Sequence, residues 1–229
     1  LATHLEGDHD RAVDPFQRAV LAYLDKPGLY CRINALRALC AFGGVQSIVE
    51  ALLLLSERKG AQLSGKVIVE ALLQFHGDRE QLIAALWACF DRFDSEEQRA
   101  LLDFMRFASG NWQAPVLDIL RDPSWDKELR LSAIRYFDRY PSAPAEGLLL
   151  ALAADEDAAA WEYRAVACTA LAHYPGSAAR AVLAQAIRSE NWFVRYNAAA
   201  SLEALGLSGE ELVRLAGGDA YAQDMLRYR

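Results

Sequence analysis

The chain has 229 residues, 53% of them hydrophobic and 24% charged, with a formal net charge of -7. That is ample apolar material for a packed core, and with only seven prolines and fourteen glycines long disordered linkers are not expected. The acidic balance argues against nucleic acid as a partner, because such binders carry a basic face.

In chain order, residues 1–13 read as an N-terminal tail, polar and carrying His4 and His9. From residue 14 onward the chain alternates short apolar segments with turns. "DPFQRAVLAYL", "VQSIVEALLLL", "REQLIAALWACF", "APVLDIL", "AEGLLLALA" and "ARAVLAQAI" predict the first helix of successive pairs. Acidic or polar turns follow them, and a second helix follows each turn. The second helices share a pattern: a basic or polar anchor, a small residue three positions later, a large apolar one at seven, then Gly or Pro. "WFVRYNAAASLEALG" and "WEYRAVACTALAHYPG" show it best; "SGKVIVEALLQFHG" and "EEQRALLDFMRFASG" show it weakly. The anchors Arg32, Lys66, Gln98, Arg130, Arg164 and Arg195 are separated by 34, 32, 32, 34 and 31 residues.

Ala35, Val69, Leu101, Ala133, Ala167 and Ala198 stand three after the anchors. Leu39, Leu73, Met105, Phe137, Leu171 and Leu202 stand seven after, and the series from Phe42 to Leu205 stands ten after. These steps share one helical stripe, so small residues let a neighbouring helix approach and large ones fill the layer between. A lone pair of such helices cannot bury its apolar face, whereas stacked pairs can. The expectation is one all-α repeat domain over residues 14–229. Its units are 14–44, 45–77, 78–110, 111–142, 143–176 and 177–207, with a cap at 208–229. The cap uses Tyr221, Met225 and Leu226 for packing and turns Arg227 and Arg229 to solvent.

The segments "DPSWDKELRLSAIRYF", "DEDAAAWEYRAVACTAL" and "SENWFVRYNAAASLEALG" resemble the short HEAT-like repeats common in bacterial proteins. Tetratricopeptide and ankyrin arrays share the period, but their signatures are missing. The resemblance implies a right-handed α-α superhelix of the HEAT or armadillo kind, with about six to seven helical hairpins. It also implies that the second helices line a concave surface. Positions two, five and nine after each anchor would then face outward. Ile68, Phe75, Asp103, Phe107, Arg135, Arg139, His173 and Asn197 are the candidate partner-binding residues among them. Phe75 and Phe107 would form an exposed aromatic pair.

"GAQLSGKV", Gly60 to Val67, imitates a phosphate-binding loop. Val67 stands where a Ser or Thr would hold magnesium, and the Leu52–Leu55 run upstream is of helix length. An inter-helical turn is the expectation, with Lys66 in the anchor column. Arg32, Arg130, Arg164 and Arg195 are expected to form a structural ladder, each paired with an acid such as Asp25, Asp122, Asp157 or Glu190. Such a ladder orients the turns and satisfies helix ends. Ligand clamping is the alternative.

Trp125, Trp161 and Trp192 open successive second helices and would cap the seams between units, aromatic platforms being the other reading. Trp87 is expected in the core. His76 and His173 end second helices, where the dipole favours a cation. Cys31, Cys40, Cys89 and Cys168 lie in apolar runs without CxxC spacing and read as buried, reduced thiols. No metal site, cofactor or catalytic residue is expected.

The functional expectation is a non-catalytic scaffold that binds a protein partner along its concave surface. HEAT-like enzymes, among them DNA glycosylases and bilin lyases, supply the alternative, with Arg135, Arg139, Phe107 and Asp103 the nearest approach to a glycosylase groove. No apolar run nears the roughly 20 residues that span a bilayer, so the expected location is cytoplasmic without membrane contact. A leader or inner-membrane anchor upstream of Leu1 stays open.

Overall fold

The computed structural model describes residues 15–58 and 62–226. The tail with His4 and His9, the motif's Gly60 and Ala61, and Arg227 and Arg229 lie outside them, as does the side chain of Leu226. Among the described residues the regular structure is entirely helical. The chain forms two compact units, Leu1–Ser109 and Gly110–Arg229.

The first unit holds three helical hairpins: α1 (Pro15–Leu21) with α2 (Leu29–Phe42), α3 (Val45–Glu57) with α4 (Gly65–Leu72), and α5 (Arg79–Trp87) with α6 (Ser95–Ala108). Helix α2 packs on α4, and α4 on α6, while α1, α3 and α5 form the second layer. Leu36, Leu39, Ile48, Leu52, Ile68, Leu72, Ile83 and Phe104 are buried between them.

The second unit repeats the plan. Its hairpins are α7 (Gln113–Arg121) with α8 (Lys127–Arg139), α9 (Ala143–Ala154) with α10 (Trp161–Ala170), α11 (Ser177–Ala186) with α12 (Trp192–Ala204), and the short α13 (Gly209–Ala216) with α14 (Ala220–Leu226). Helices α8, α10 and α12 stack in chain order, as do α7, α9 and α11.

The ends of these helices are written locally. The Asp78, Asp94 and Asp126 carboxylates and the Asn191 amide oxygen accept hydrogen bonds from the free N–H groups of the first turns of α5, α6, α8 and α12. Ser208 and Glu211 form a reciprocal capping box on α13. These side chains satisfy donors that have no partner inside the helix. At the far end of α12, Gly206 takes φ +93°, a conformation closed to most side chains, and Leu207 N–H returns to the Leu202 carbonyl at 3.0 Å.

The small column behaves as expected: Ala35, Val69, Leu101, Ala133, Ala167 and Ala198 are all buried. The large column is buried too, except for half-buried Leu73. The exception marks an error of register. In α10 and the turn after it the buried positions, Ala165 aside, run Arg164, Ala167, Cys168, Ala170, Leu171 and then Tyr174. The same spacing runs Gly65, Ile68, Val69, Ala71, Leu72 and Phe75. The anchor of the second hairpin is therefore Gly65, not Lys66, and Arg32, Gly65 and Gln98 are evenly spaced by 33 residues. A slip of one residue turns every assignment by about 100° around the helix. Ile68, expected on the surface, is fully buried, and Phe75 is 6% exposed in the place Tyr174 takes in α10.

Three further expectations are corrected. Phe42, at the tenth position, is 79% exposed. Cys31 is exposed, on a stripe with Asn34, Ala38 and Phe42 that the described helices do not bury. Tyr221 of the cap is half exposed; its ring lies beneath the Arg195 guanidinium, 5.2 Å from the centroid, while Met225 fills the core.

Candidate functional site

The arginine column is built as a set of clasps whose hydrogen-bond acceptors are main-chain carbonyls; among the described residues Arg195 alone of the four also has a carboxylate within ion-pair reach, Asp224 Oδ2 at 3.7 Å from its Nη2. Arg32 Nη1 donates to the Lys26 and Pro27 carbonyls at 3.2 and 3.0 Å. Arg130 Nη2 donates to Leu120 O at 3.3 Å and Arg164 Nε to Ala153 O at 3.1 Å. Arg195 Nη1 reaches the Ser189 and Glu190 carbonyls at 2.9 and 2.7 Å. Arg130 and Arg164 take carbonyls left over in the last turns of α7 and α9, and so neutralise the negative ends of those helices, while Arg32 and Arg195 take carbonyls of the connecting turns. Asp25 instead pairs with Arg58. Asp122 is held below the usual carboxylate range by hydrogen bonds from Ser124 first, and by Arg130 only weakly. A side-chain acid near the turn was the obvious partner in the sequence; the backbone acceptor carries no sequence signal.

The weaker units solve the same problem with other residues. Gln98 Nε2 donates to Phe90 O at 3.1 Å. At Gly65 the column has no side chain, and Arg99 from α6 occupies the space: a Cβ there would stand 3.0 Å from Arg99 Nη2. Gly65 N–H, at the start of α4, donates to Glu96 Oε2, which also accepts from Arg99 at 2.8 Å. The amide that a phosphate would need is thus already held by a carboxylate, and Lys66 is exposed beside it. The described part of the loop-like motif is an inter-helical turn.

Beside this turn lies a group that the sequence did not reveal. Glu97 in the first turn of α6 is completely buried, with the Asp94 carboxylate and the Ser56 hydroxyl as its hydrogen-bonding neighbours. Burial pushes its carboxyl up to about 8, and nearby Asp94 adds to the shift. For Asp94 burial acts against ionisation, but hydrogen bonds from Glu97, Glu96 N–H and Gln62 outweigh it and hold that carboxyl low. Near neutral pH, Glu97 is a neutral acid beside the Asp94 carboxylate. Burial likewise raises the Cys40 and Cys168 thiols to about 12.

The predicted surface residues fall into three groups. Ile68 and Phe75 are core, so the exposed pair of Phe75 with Phe107 does not form. Phe107 is 53% exposed on α6, with Arg106 stacked 4.6 Å above its ring and half-buried Asp103 one turn earlier. On α8, Arg139 is exposed and Arg135 half-buried. His173 Nε2 lies 3.4 Å from Asp138 Oδ1. Asn197 is a seam residue: its Nδ2 donates to the Ala165 carbonyl at 2.9 Å, tying α12 to α10. Ser201 Oγ makes the parallel bond to Cys168 O at 2.8 Å.

A second surface was missed. Trp161 stacks on Phe193 of the next hairpin, with centroids 5.6 Å apart, so it does bridge a seam. The aromatic run then continues outward. Phe193 meets Trp192 edge-on at 5.4 Å, and Trp192 stacks on Tyr196 at 4.9 Å. Trp192, Phe193 and Tyr196 are 37%, 54% and 36% exposed. Beside them, between the turns preceding α10 and α12, lies a cleft of about 740 Å³ with Trp161 in its wall. The sequence signal was "WFVRY": with Val194 and Arg195 turned inward, the flanking aromatics must face out. Trp125 and Trp87 are each half-buried, the latter stacked on Phe90 at 4.6 Å.

Stacked hairpins of this length, joined through small-residue columns and clasped at their ends, define an α-helical repeat protein. Residues 148–222, which hold the last hairpins, match the family model for HEAT repeats. That match, over about a third of the chain, supports a HEAT-like repeat protein. A search of curated proteins finds no match. HEAT repeats are commonly protein-interaction scaffolds and generally not catalytic. Among the described residues, no helix is long and apolar enough to cross a membrane, and no cluster of His, Cys, Asp and Glu could hold a metal ion.

Proposed function

We propose that the protein is a non-catalytic scaffold that binds a partner protein along the inner face its second helices are expected to line. One observation carries this reading. The second helices spend their small and large columns on their neighbours, and of the positions left over Phe107, Arg139 and His173 are exposed and chemically mixed. Such a surface gives area and a few anchors without an enclosed reaction chamber. Among the described residues the one strongly raised carboxyl, Glu97, is sealed from solvent and out of reach of any substrate. A cytoplasmic location fits a chain whose described helices include none that crosses a membrane.

Affinity capture from the native cell tests the reading. Wild type should retain a specific protein that a Phe107→Ser, Arg139→Glu double variant loses. Equal retention by both forms refutes the proposed face.

A further inference from the structure

The cleft between the turns before α10 and α12 has a composition that selects its occupant. Its rim carries three carboxylates, Glu156, Asp157 and Glu190. Among the described residues none of the three takes part in an ion pair; their only recorded side-chain bonds are local, from Gln185 to Glu156 at 3.2 Å and from Ala159 N–H to Asp157 at 2.9 Å. The two guanidiniums of the same cleft are turned to backbone acceptors. Arg164 is given to Ala153 O, and Arg188 Nη2 donates to Leu215 O at 2.9 Å. The cleft thus holds three carboxylates without an ion-pair partner against two guanidiniums, in a chain whose net charge is -7.

The aromatic edge supplies the second half of the recognition. Trp161 lines the cleft together with the carboxylates and stacks on exposed Phe193, which meets Trp192 edge-on, so the aromatic run reaches the cleft through Trp161. A guanidinium is the group that satisfies both features at once. It is planar, stacks on aromatic faces, and offers paired N–H donors to carboxylates at its edge. The protein already makes this stack within itself, with Arg106 over Phe107, Arg130 over Tyr163 and Arg195 over Tyr221. The cleft is too polar for an apolar helix face, and its negative rim repels nucleic acid. We propose that this cleft and its aromatic edge receive an arginine-bearing, basic segment of a partner protein.

The proposal rests on the scaffold reading but concerns a different surface, so the two are tested apart. The probe is a peptide of repeated Arg-Gly-Gly triplets, titrated at physiological salt and compared with its Lys and Glu counterparts. The five tryptophans give five indole N–H resonances. Saturable shifts are expected at Trp161 and Trp192, with Trp87, Trp112 and Trp125 unmoved. The Lys peptide should bind several-fold more weakly and the Glu peptide not at all. A Glu156→Gln, Glu190→Gln double variant, which leaves the core untouched, should weaken the Arg peptide about tenfold. Phe193→Ser should weaken it to a similar degree. Absence of binding, shifts confined to other indoles, or affinity unchanged in both variants would each overturn the inference. The capture result for the Phe107→Ser, Arg139→Glu protein would stand or fall separately.

Discussion

Replacing Glu97 by Gln should make the protein more stable in neutral and alkaline solution, by an amount that grows with pH. The folded carboxyl sits at about 8 against an ordinary value of 4.5. Between those values the folded state holds a proton that the unfolded chain has released, so stability falls as pH rises through the window. Linkage gives a loss of about 3 kcal/mol between pH 4 and pH 7, and about 1 kcal/mol more by pH 9. The Gln side chain is nearly the same shape and cannot ionise. Its amide N–H can donate toward Asp94 as the protonated acid does. The lowered carboxyl of Asp94 acts only at more acidic pH and does not enter the comparison. Urea titrations followed by circular dichroism at pH 5, 7 and 9 measure the effect. Wild type should lose stability steadily, and the Glu97→Gln curve should be nearly flat over the same range. Parallel curves would mean that Glu97 ionises freely in the fold, and the account of a neutral buried acid would be wrong.

Two further expectations concern the repeat itself. Arg164→Ala leaves the buried Ala153 carbonyl without its donor and should cost about 2 to 3 kcal/mol of stability. Asp157→Asn should change stability by less than about 0.5 kcal/mol, and a comparable loss in both would restore the carboxylate ladder. Phe75→Ala should cost about 3 to 5 kcal/mol because it empties a core site, while Phe107→Ala should cost under about 1 kcal/mol. Similar thermal melts for these two variants would refute the shifted register.

The fold was legible because a solenoid states its core repeatedly. Six anchored segments, four of them with alanine at plus three, marked six hairpins, and small columns cannot be exposed without wasting the close approach they allow. What went wrong was local. Lys66 is basic and stands one place from the column, and chemical likeness to arginine outweighed the burial pattern that would have chosen Gly65. That single residue moved Ile68 and Phe75 from the core to the expected surface. The arginine clasps were legible as a column but not in their partners, because a carbonyl oxygen is present at every residue and leaves no trace in composition. Glu97 was hidden for a similar reason. "SEEQ" reads as an ordinary acidic first turn, and only packing distinguishes Glu96, which holds Gly65 N–H, from its sealed neighbour. The aromatic edge was half visible: three tryptophans at helix starts were noted, but Phe193 and Tyr196 gain meaning only when helical phase turns them outward.

The clasping of helix ends through main-chain oxygens has a consequence for variation. An arginine that grips a carboxylate ties two positions together, and neither can change alone. An arginine that grips the peptide group leaves the side chains of Ser189 and Glu190, or of Lys26, free to become something else. The connecting segments can then be rewritten for new contacts while the stack beneath them stays intact, as the cleft beside Trp161 illustrates.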